Sequence, residues 1–196
     1  MSIWAWFLLG AATWALAVVL KVLADVVVRR SMTAELRDWL ASLLSGVWSS
    51  LCELGLAALA FWIWSATFAD ALVVAVGAAL AEFLILLPAP VVANWNKKPQ
   101  TKAKEAAGWN AFLAERAVIF ANHLASRGLV WLAVAGAGGL AAAGSALGLF
   151  ALIEAIQAYG QAKEWDWLNT RVLWTYLTVL TTVVAIEIAL LLFWAI

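Results

Sequence analysis

The chain has little of what stabilises a small soluble protein. It contains one cysteine, Cys52, one histidine, three prolines and only 12% charged residues among 196. A single cysteine excludes an internal disulfide and any paired-cysteine metal or redox motif. Twelve basic residues balance twelve acidic ones, so the chain has no net charge to attract a polyanion. We therefore expect no nucleic-acid partner.

Apolar residues, by contrast, make up 66% of the chain, where soluble proteins have about 45 to 50%. A membrane-spanning helix needs about 20 mostly apolar residues. The sequence predicts an all-α, polytopic transmembrane bundle in the lipid bilayer, with residues 1–196 as a single integral membrane domain. The six predicted helices cover about residues 3–28, 43–64, 71–92, 111–134, 140–159 and 172–195. The break at 136–139 depends on glycines alone.

Basic residues and tryptophans indicate how the predicted bundle lies in the membrane. The first, third and fifth connections carry Lys and Arg, including a basic loop at 94–108, and the second and fourth carry none. Loops that retain positive charge stay on the cytoplasmic side, so both termini are expected on the other side. Most of the 14 tryptophans fall near helix ends, as in an aromatic belt. We expect a multi-pass protein of the prokaryotic cytoplasmic membrane.

Ionisable residues inside the predicted helices are the functional candidates, because each is costly at mid-membrane and usually faces the bundle interior. Glu53, Glu82 and His123 lie on three consecutive helices, each about 15 to 18 Å from a membrane face at 1.5 Å per residue. Glu187 lies near the same layer and is expected to hydrogen-bond to threonines of its own helix. Lys21 and Asp25, four residues apart, are expected to pair with each other.

The fourth helix carries a polar stripe. Arg116, His123 and Arg127 follow spacings of seven and four, which places them on one helix face, with Ser126 beside them. Glu115 precedes this stripe near the cytoplasmic end. Two arginines and two nearby glutamates around one histidine favour a functional polar site over a histidine that only fills the core.

Three segments occur in order along the chain: residues 45–55 with Glu53, Gly77-x4-Glu82, and Glu115-Arg116-x6-His123-x2-Ser126. Together they resemble the PrsW/YhfC-like branch of the intramembrane metalloprotease superfamily that includes the CPBP proteases. The last segment is similar to its histidine helix, and the second resembles its second glutamate motif. Residues 45–55, with Glu53, stand where that family has a first, paired glutamate motif. The resemblance covers about residues 45–130.

The resemblance implies a peptidase site inside the membrane that acts on a membrane-protein substrate. Glu53 would be the general base, while Glu82 and His123 would bind water or a divalent metal such as zinc. Glu115, Arg116, Ser126 and Arg127 would support them. Two departures stand against catalysis. Cys52 replaces the first glutamate of the expected pair, and one histidine is few for a catalytic zinc site.

Two other classes of function therefore stay open. The first is a non-catalytic structural or assembly subunit of a larger membrane complex, whose polar cluster only fixes helix packing. Gly144-x3-Gly148 on the fifth helix, a pattern that allows close helix approach, favours this class. The second is a small transporter that uses the buried acids as proton or cation sites.

Overall fold

The described part of the chain forms a bundle of six α-helices. The computed structural model describes residues 1–31, 34–86, 102–163, 165 and 170–195, and these contain no strand. The helices are α1 (Ile3–Ser31), α2 (Ala34–Ile63), α3 (Phe68–Leu86), α4 (Lys102–Val134), α5 (Gly139–Ala162) and α6 (Thr170–Ala195). All six are long and apolar enough to cross a membrane. The predicted six-helix, multi-pass membrane fold is confirmed.

Several helices extend beyond their predicted apolar segments. α2 begins at Ala34 rather than 43, and α4 begins at Lys102 rather than 111. The added turns are rich in Ala, Glu, Lys and Arg, which are strong helix formers in water as well as in lipid. The second half of the predicted loop 94–108 is therefore helical, while residues 94–101 lie outside the described part. Hydropathy marks where the apolar segment ends, not where the helix ends.

Two tight turns join the helices at one end of the bundle, which we call the turn end. Between α2 and α3, the Thr67 hydroxyl lies 2.7 Å from the Asp70 carboxylate and caps α3. Between α4 and α5, Gly136 and Gly139 have φ values of 83° and 54°, a region that glycine enters without strain. The predicted break at 136–139 therefore exists. The Trp131 indole N–H donates to the Ala66 carbonyl and ties the two turns together.

At the opposite end α1, α3 and α5 finish and α2, α4 and α6 begin, and we call this the basic end. Lys163 and Asp38 form an exposed ion pair there, with the ammonium 2.7 Å from the carboxylate. The hydrogen bond to Asp38 raises the pKa of Lys163. This contact confirms that the end of α5 and the start of α2 lie on the same side of the bundle.

The turn half of the bundle has an apolar interior. One cluster of buried side chains from α1 to α5 fills it, including Trp6, Phe61, Val74, Leu129 and Phe150. A second apolar cluster joins α4, α5 and α6. The buried charged side chains nearest the turn end, Arg127 and Glu187, lie about two helical turns from it, so the interior of that end is apolar.

Candidate functional site

Polar side chains from all six helices form one connected set in the basic half of the bundle. We call this set the polar network. Its ionisable members are Lys21, Glu53, Glu82, Glu115, Arg116, His123, Arg127 and Glu154, with Ser49, Gln157 and Tyr176 at its edges.

His123 lies at the centre of the polar network and is 1% exposed. Its Nδ1 is 2.5 Å from Arg127 Nη1, and its Nε2 is 2.8 Å from Glu82 Oε2. An arginine stays protonated and can only donate. Nδ1 therefore accepts from Arg127, and the ring hydrogen sits on Nε2 and is donated to Glu82. Both ring nitrogens are engaged.

Glu82, on α3, is held from two sides by α4. Besides the contact with His123, its Oε1 accepts from Arg116 Nη1 at 2.5 Å. The other guanidinium nitrogen, Nη2, is 3.3 Å from Glu115. Tyr176 on α6 donates to the same Glu115 carboxylate at 2.9 Å. The seven-residue spacing of Arg116 and His123 allows both to reach one carboxylate on the neighbouring helix.

Glu53, on α2, is 1% exposed and also has a partner on each oxygen. Lys21 of α1 lies 3.0 Å from Oε1, and Arg127 Nη2 lies 3.3 Å from Oε2. Lys21 also pairs with Glu154 of α5 at 2.9 Å, and the Ser49 hydroxyl donates to that carboxylate. The side chain of Asp25, which the sequence predicted as the partner of Lys21, lies outside the described part.

The structure thus brings together the three predicted catalytic residues. His123 contacts Glu82 directly, and Arg127 joins His123 to Glu53. Arg116 and Glu115 belong to the same network. Ser126 does not, because its hydroxyl donates to the backbone carbonyl of Asn122 at 2.7 Å.

The sequence-based interpretation left Lys21 and Glu154 out of the candidate site, and the contact it expected between Glu154 and Arg116 is replaced by the pairing of Glu154 with Lys21. Both lie closer to the basic end than Glu53 does, and a search by depth leaves such residues out. Long lysine side chains run along a helix for several ångströms, so the position of Nζ differs from that of the backbone. The sequence signal that was available was simply the presence of an ionisable residue in an apolar helix.

The arrangement does not fit the divalent metal expected at Glu82 and His123. Within the described residues, no three His, Cys, Asp or Glu side chains converge as a ligand set would. The lone pair of His123 Nδ1 points at Arg127, and both oxygens of Glu82 accept from nitrogen donors. Cys52 is buried, but no contact joins it to these residues among those described. A cation here would face two guanidinium groups.

Glu187 on α6 is the exception to this pairing. It is fully buried, yet neither carboxylate oxygen has a hydrogen-bond partner among the described residues. The expected bonds to threonines do not form. The hydroxyls of Thr175, Thr178 and Thr182 donate instead to backbone carbonyls four residues earlier on α6.

Comparison with protein-family models, with curated proteins and with solved structures found no match for this chain.

Proposed function

We propose that this protein is a non-catalytic membrane subunit whose polar network fixes the arrangement of its six helices. One observation carries the proposal: both nitrogens of His123 and both oxygens of Glu82 and Glu53 are engaged by donors or acceptors of the protein itself. A general base needs a lone pair that reaches the proton it removes. In this arrangement each of these atoms already has a partner in the protein, and His123 has no ring nitrogen left for a substrate or a water.

A structural role explains the same contacts. Removing one partner from a buried ion pair leaves an uncompensated charge, which typically costs about 3 to 5 kcal/mol. Arg127, which is fully buried, serves two partners at once and so links α2 to the histidine of α4. Under this proposal, the residues that resemble the protease motifs hold the helices together and do not act on a peptide bond.

The α5 surface supports contact with a second membrane protein. Gly144 and Gly148 are exposed, and a Cβ added at either would meet nothing within 4 Å. The small-residue pattern is therefore not used for packing inside the described bundle. In lipid, such a pattern allows the backbone of another helix to approach closely. We assign this face to a partner subunit.

The transporter alternative is less well supported. A transported ion needs a continuous polar route across the whole membrane, lined by groups that can bind it. Here the polar network opens toward the basic end, where Glu115 and Glu154 are partly exposed. Beyond Arg127 and Glu187, toward the turn end, the interior is filled by the apolar cluster that includes Phe61 and Leu132.

The partner proposal is tested with leucine substitutions at matched glycines. Gly144→Leu and Gly148→Leu should lower the yield of proteins that copurify stoichiometrically from the native membrane, without lowering the melting temperature of the isolated chain. Gly55→Leu is the control, because Gly55 of α2 is also exposed with nothing within 4 Å of its added Cβ. Equal copurification by all three variants and the native chain would contradict the assignment of the α5 face.

A further inference from the structure

The fully buried Glu187 has a defined position opposite α4. The helices α4 and α6 run in the same direction, because Tyr176 contacts Glu115 near the basic end and Leu191 lies against Gly128 nearer the turn end. Glu187 precedes Leu191 by four residues and shares its face. It therefore faces the segment of α4 that precedes Gly128.

Two atoms of that α4 segment also lack partners among the described residues. They are the amide oxygen of Asn122, which is 2% exposed, and Nε of Arg127, which is 0% exposed. The guanidinium of Arg127 interacts electrostatically with Glu187. Its other two nitrogens are already bound to His123 and Glu53. The groups without partners are thus the Glu187 carboxyl group, the Asn122 oxygen, which can only accept, and Arg127 Nε, which can only donate.

These two atoms suit opposite protonation states of a carboxyl group. The Asn122 oxygen can only accept, so it can bond to Glu187 only when the acid carries its proton. Arg127 Nε can only donate, so it suits the carboxylate. An ionised carboxylate buried without a charged hydrogen-bond partner is strongly disfavoured in apolar surroundings. A protonated acid that donates to the Asn122 oxygen avoids that cost.

The other surroundings of Glu187 are apolar. On its own helix, Leu180, Val183 and Val184 belong to a buried cluster with Ile119 of α4 and Ile153 of α5. The ionisable group of α5, Glu154, is bound to Lys21 and Ser49. On α6 itself, Tyr176 is bound to Glu115 and Gln157 near the basic end. Arg127 is therefore the charged group that faces Glu187 from the elements packed against it.

We propose that Glu187 is a proton-binding site: a neutral acid that donates to the Asn122 amide oxygen, and that on losing its proton to water turns to Arg127 Nε. The ligand is the proton alone, and no other bond is made or broken. Because Arg127 also donates to His123 and Glu53, release of the proton gives the same guanidinium a third hydrogen-bond partner. Protonation of Glu187 is thereby coupled to the polar network. A network that only fixes the helix arrangement would not need this coupling.

Infrared difference spectroscopy on the full chain in lipid nanodiscs tests this proposal. The difference between the spectra of the native protein and the Glu187→Gln variant should show the C=O stretch of a carboxylic acid at neutral pH. This band should be replaced by carboxylate bands as the pH rises. The matched control is the native protein minus Glu53→Gln, which should show carboxylate bands at neutral pH because Glu53 is paired with Lys21 and Arg127. Circular dichroism checks that each variant keeps its helices.

A second variant tests the role of the acceptor. Asn122→Leu removes the partner of the protonated acid and should lower the proton affinity of Glu187 by about two- to ten-fold, the factor that corresponds to one hydrogen bond. Ser126→Ala, on the same helix, should leave the proton affinity of Glu187 unchanged, because the Ser126 hydroxyl donates to the backbone carbonyl of Asn122 and not to its side chain. Carboxylate bands alone at neutral pH, or an acid band that persists until the protein unfolds in alkali, would overturn the proposal.

Discussion

His123 is held between an obligate donor and a carboxylate, and it cannot leave either without cost. Replacing it with alanine deprives Arg127 of one of its two acceptors and Glu82 of one of its two donors. Each unsatisfied buried group costs about 1 to 3 kcal/mol. We therefore expect His123→Ala to lower the free energy of unfolding by at least about 1 kcal/mol, measured by denaturant titration in detergent micelles.

The control for this measurement is Ser126→Ala, one turn further along α4. Ser126 is as deeply buried as His123, but its hydroxyl bonds to the backbone of its own helix. Its substitution should cost clearly less than His123→Ala. A His123→Ala variant that is as stable as the Ser126→Ala variant would show that the network contributes nothing to stability.

Arg127 should be the more sensitive position, because it is fully buried and has two partners. Arg127→Met keeps an unbranched side chain but removes the charge, which leaves Glu53 with Lys21 alone. We expect a loss of about 3 to 5 kcal/mol, the range for one broken buried pair. The exposed Lys163 pair is the comparison: Lys163→Met should have a smaller effect that added salt abolishes.

For single residues, the sequence predicts which side chains are buried together but not which of them pair. Glu53, Glu82 and His123 were placed at one depth by counting residues along three helices. Lys21 was matched to Asp25 because they are one turn apart, yet it pairs with glutamates on two other helices. Which helices are neighbours, and in what rotation, depends on packing of the whole bundle and is not encoded in the local spacing.

At the level of helices, α1 and α3 pack with unusually close backbones. A Cβ added at Gly77 would overlap the Phe7 carbonyl, and one added at Gly10 would overlap the Val74 carbonyl. Gly77 belongs to the segment that resembles the second protease motif, and here its role is to let α1 approach. The glycine pattern before Glu82 thus has a packing explanation that needs no catalysis.

Gly77→Ala should therefore destabilise the bundle, since the two backbones must separate to admit the methyl group. Gly55→Ala is the matched control, because its Cβ would meet nothing within 4 Å. Alanine is the better helix former, so Gly55→Ala should be neutral or should stabilise α2 by up to about 1 kcal/mol. Thermal unfolding of both variants in the same detergent measures this difference in stability. Equal melting temperatures would contradict the close contact between Gly77 and Phe7.

The existence of the six helices was predictable because each needs one long apolar segment, and lipid leaves few alternatives for the backbone. Their ends were not, since the charged turns at Ala34 and Lys102 are helical by propensity rather than by hydropathy. The glycine break at 136–139 was predictable because a single helix through both segments would be far longer than the membrane is thick.

For the molecule as a whole, the distribution of basic residues predicts that both termini lie outside the cytoplasm. Single-cysteine variants test this, because native Cys52 is buried and should react slowly. In intact cells, a membrane-impermeant maleimide should label Ser2→Cys but should reach Lys98→Cys only after lysis. The reverse pattern would show that the topology is inverted.

The bundle as a whole combines an apolar turn end with a centre that is crossed by ion pairs. Every helix contributes to the polar network, so its contacts connect all six helices in addition to the apolar packing. This is the arrangement expected of a scaffold with a fixed shape. A peptidase would instead need access for a substrate and a free base.

The most direct test of this account is nitrogen NMR of His123, which gives an unambiguous signal because it is the single histidine in the chain. We expect Nε2 to carry the ring hydrogen and Nδ1 to carry none while it accepts a hydrogen bond. We also expect neither nitrogen signal to change when Zn²⁺ is added. A ring with its hydrogen on Nδ1, or signals that shift with stoichiometric Zn²⁺ and are restored by a chelator, would contradict it.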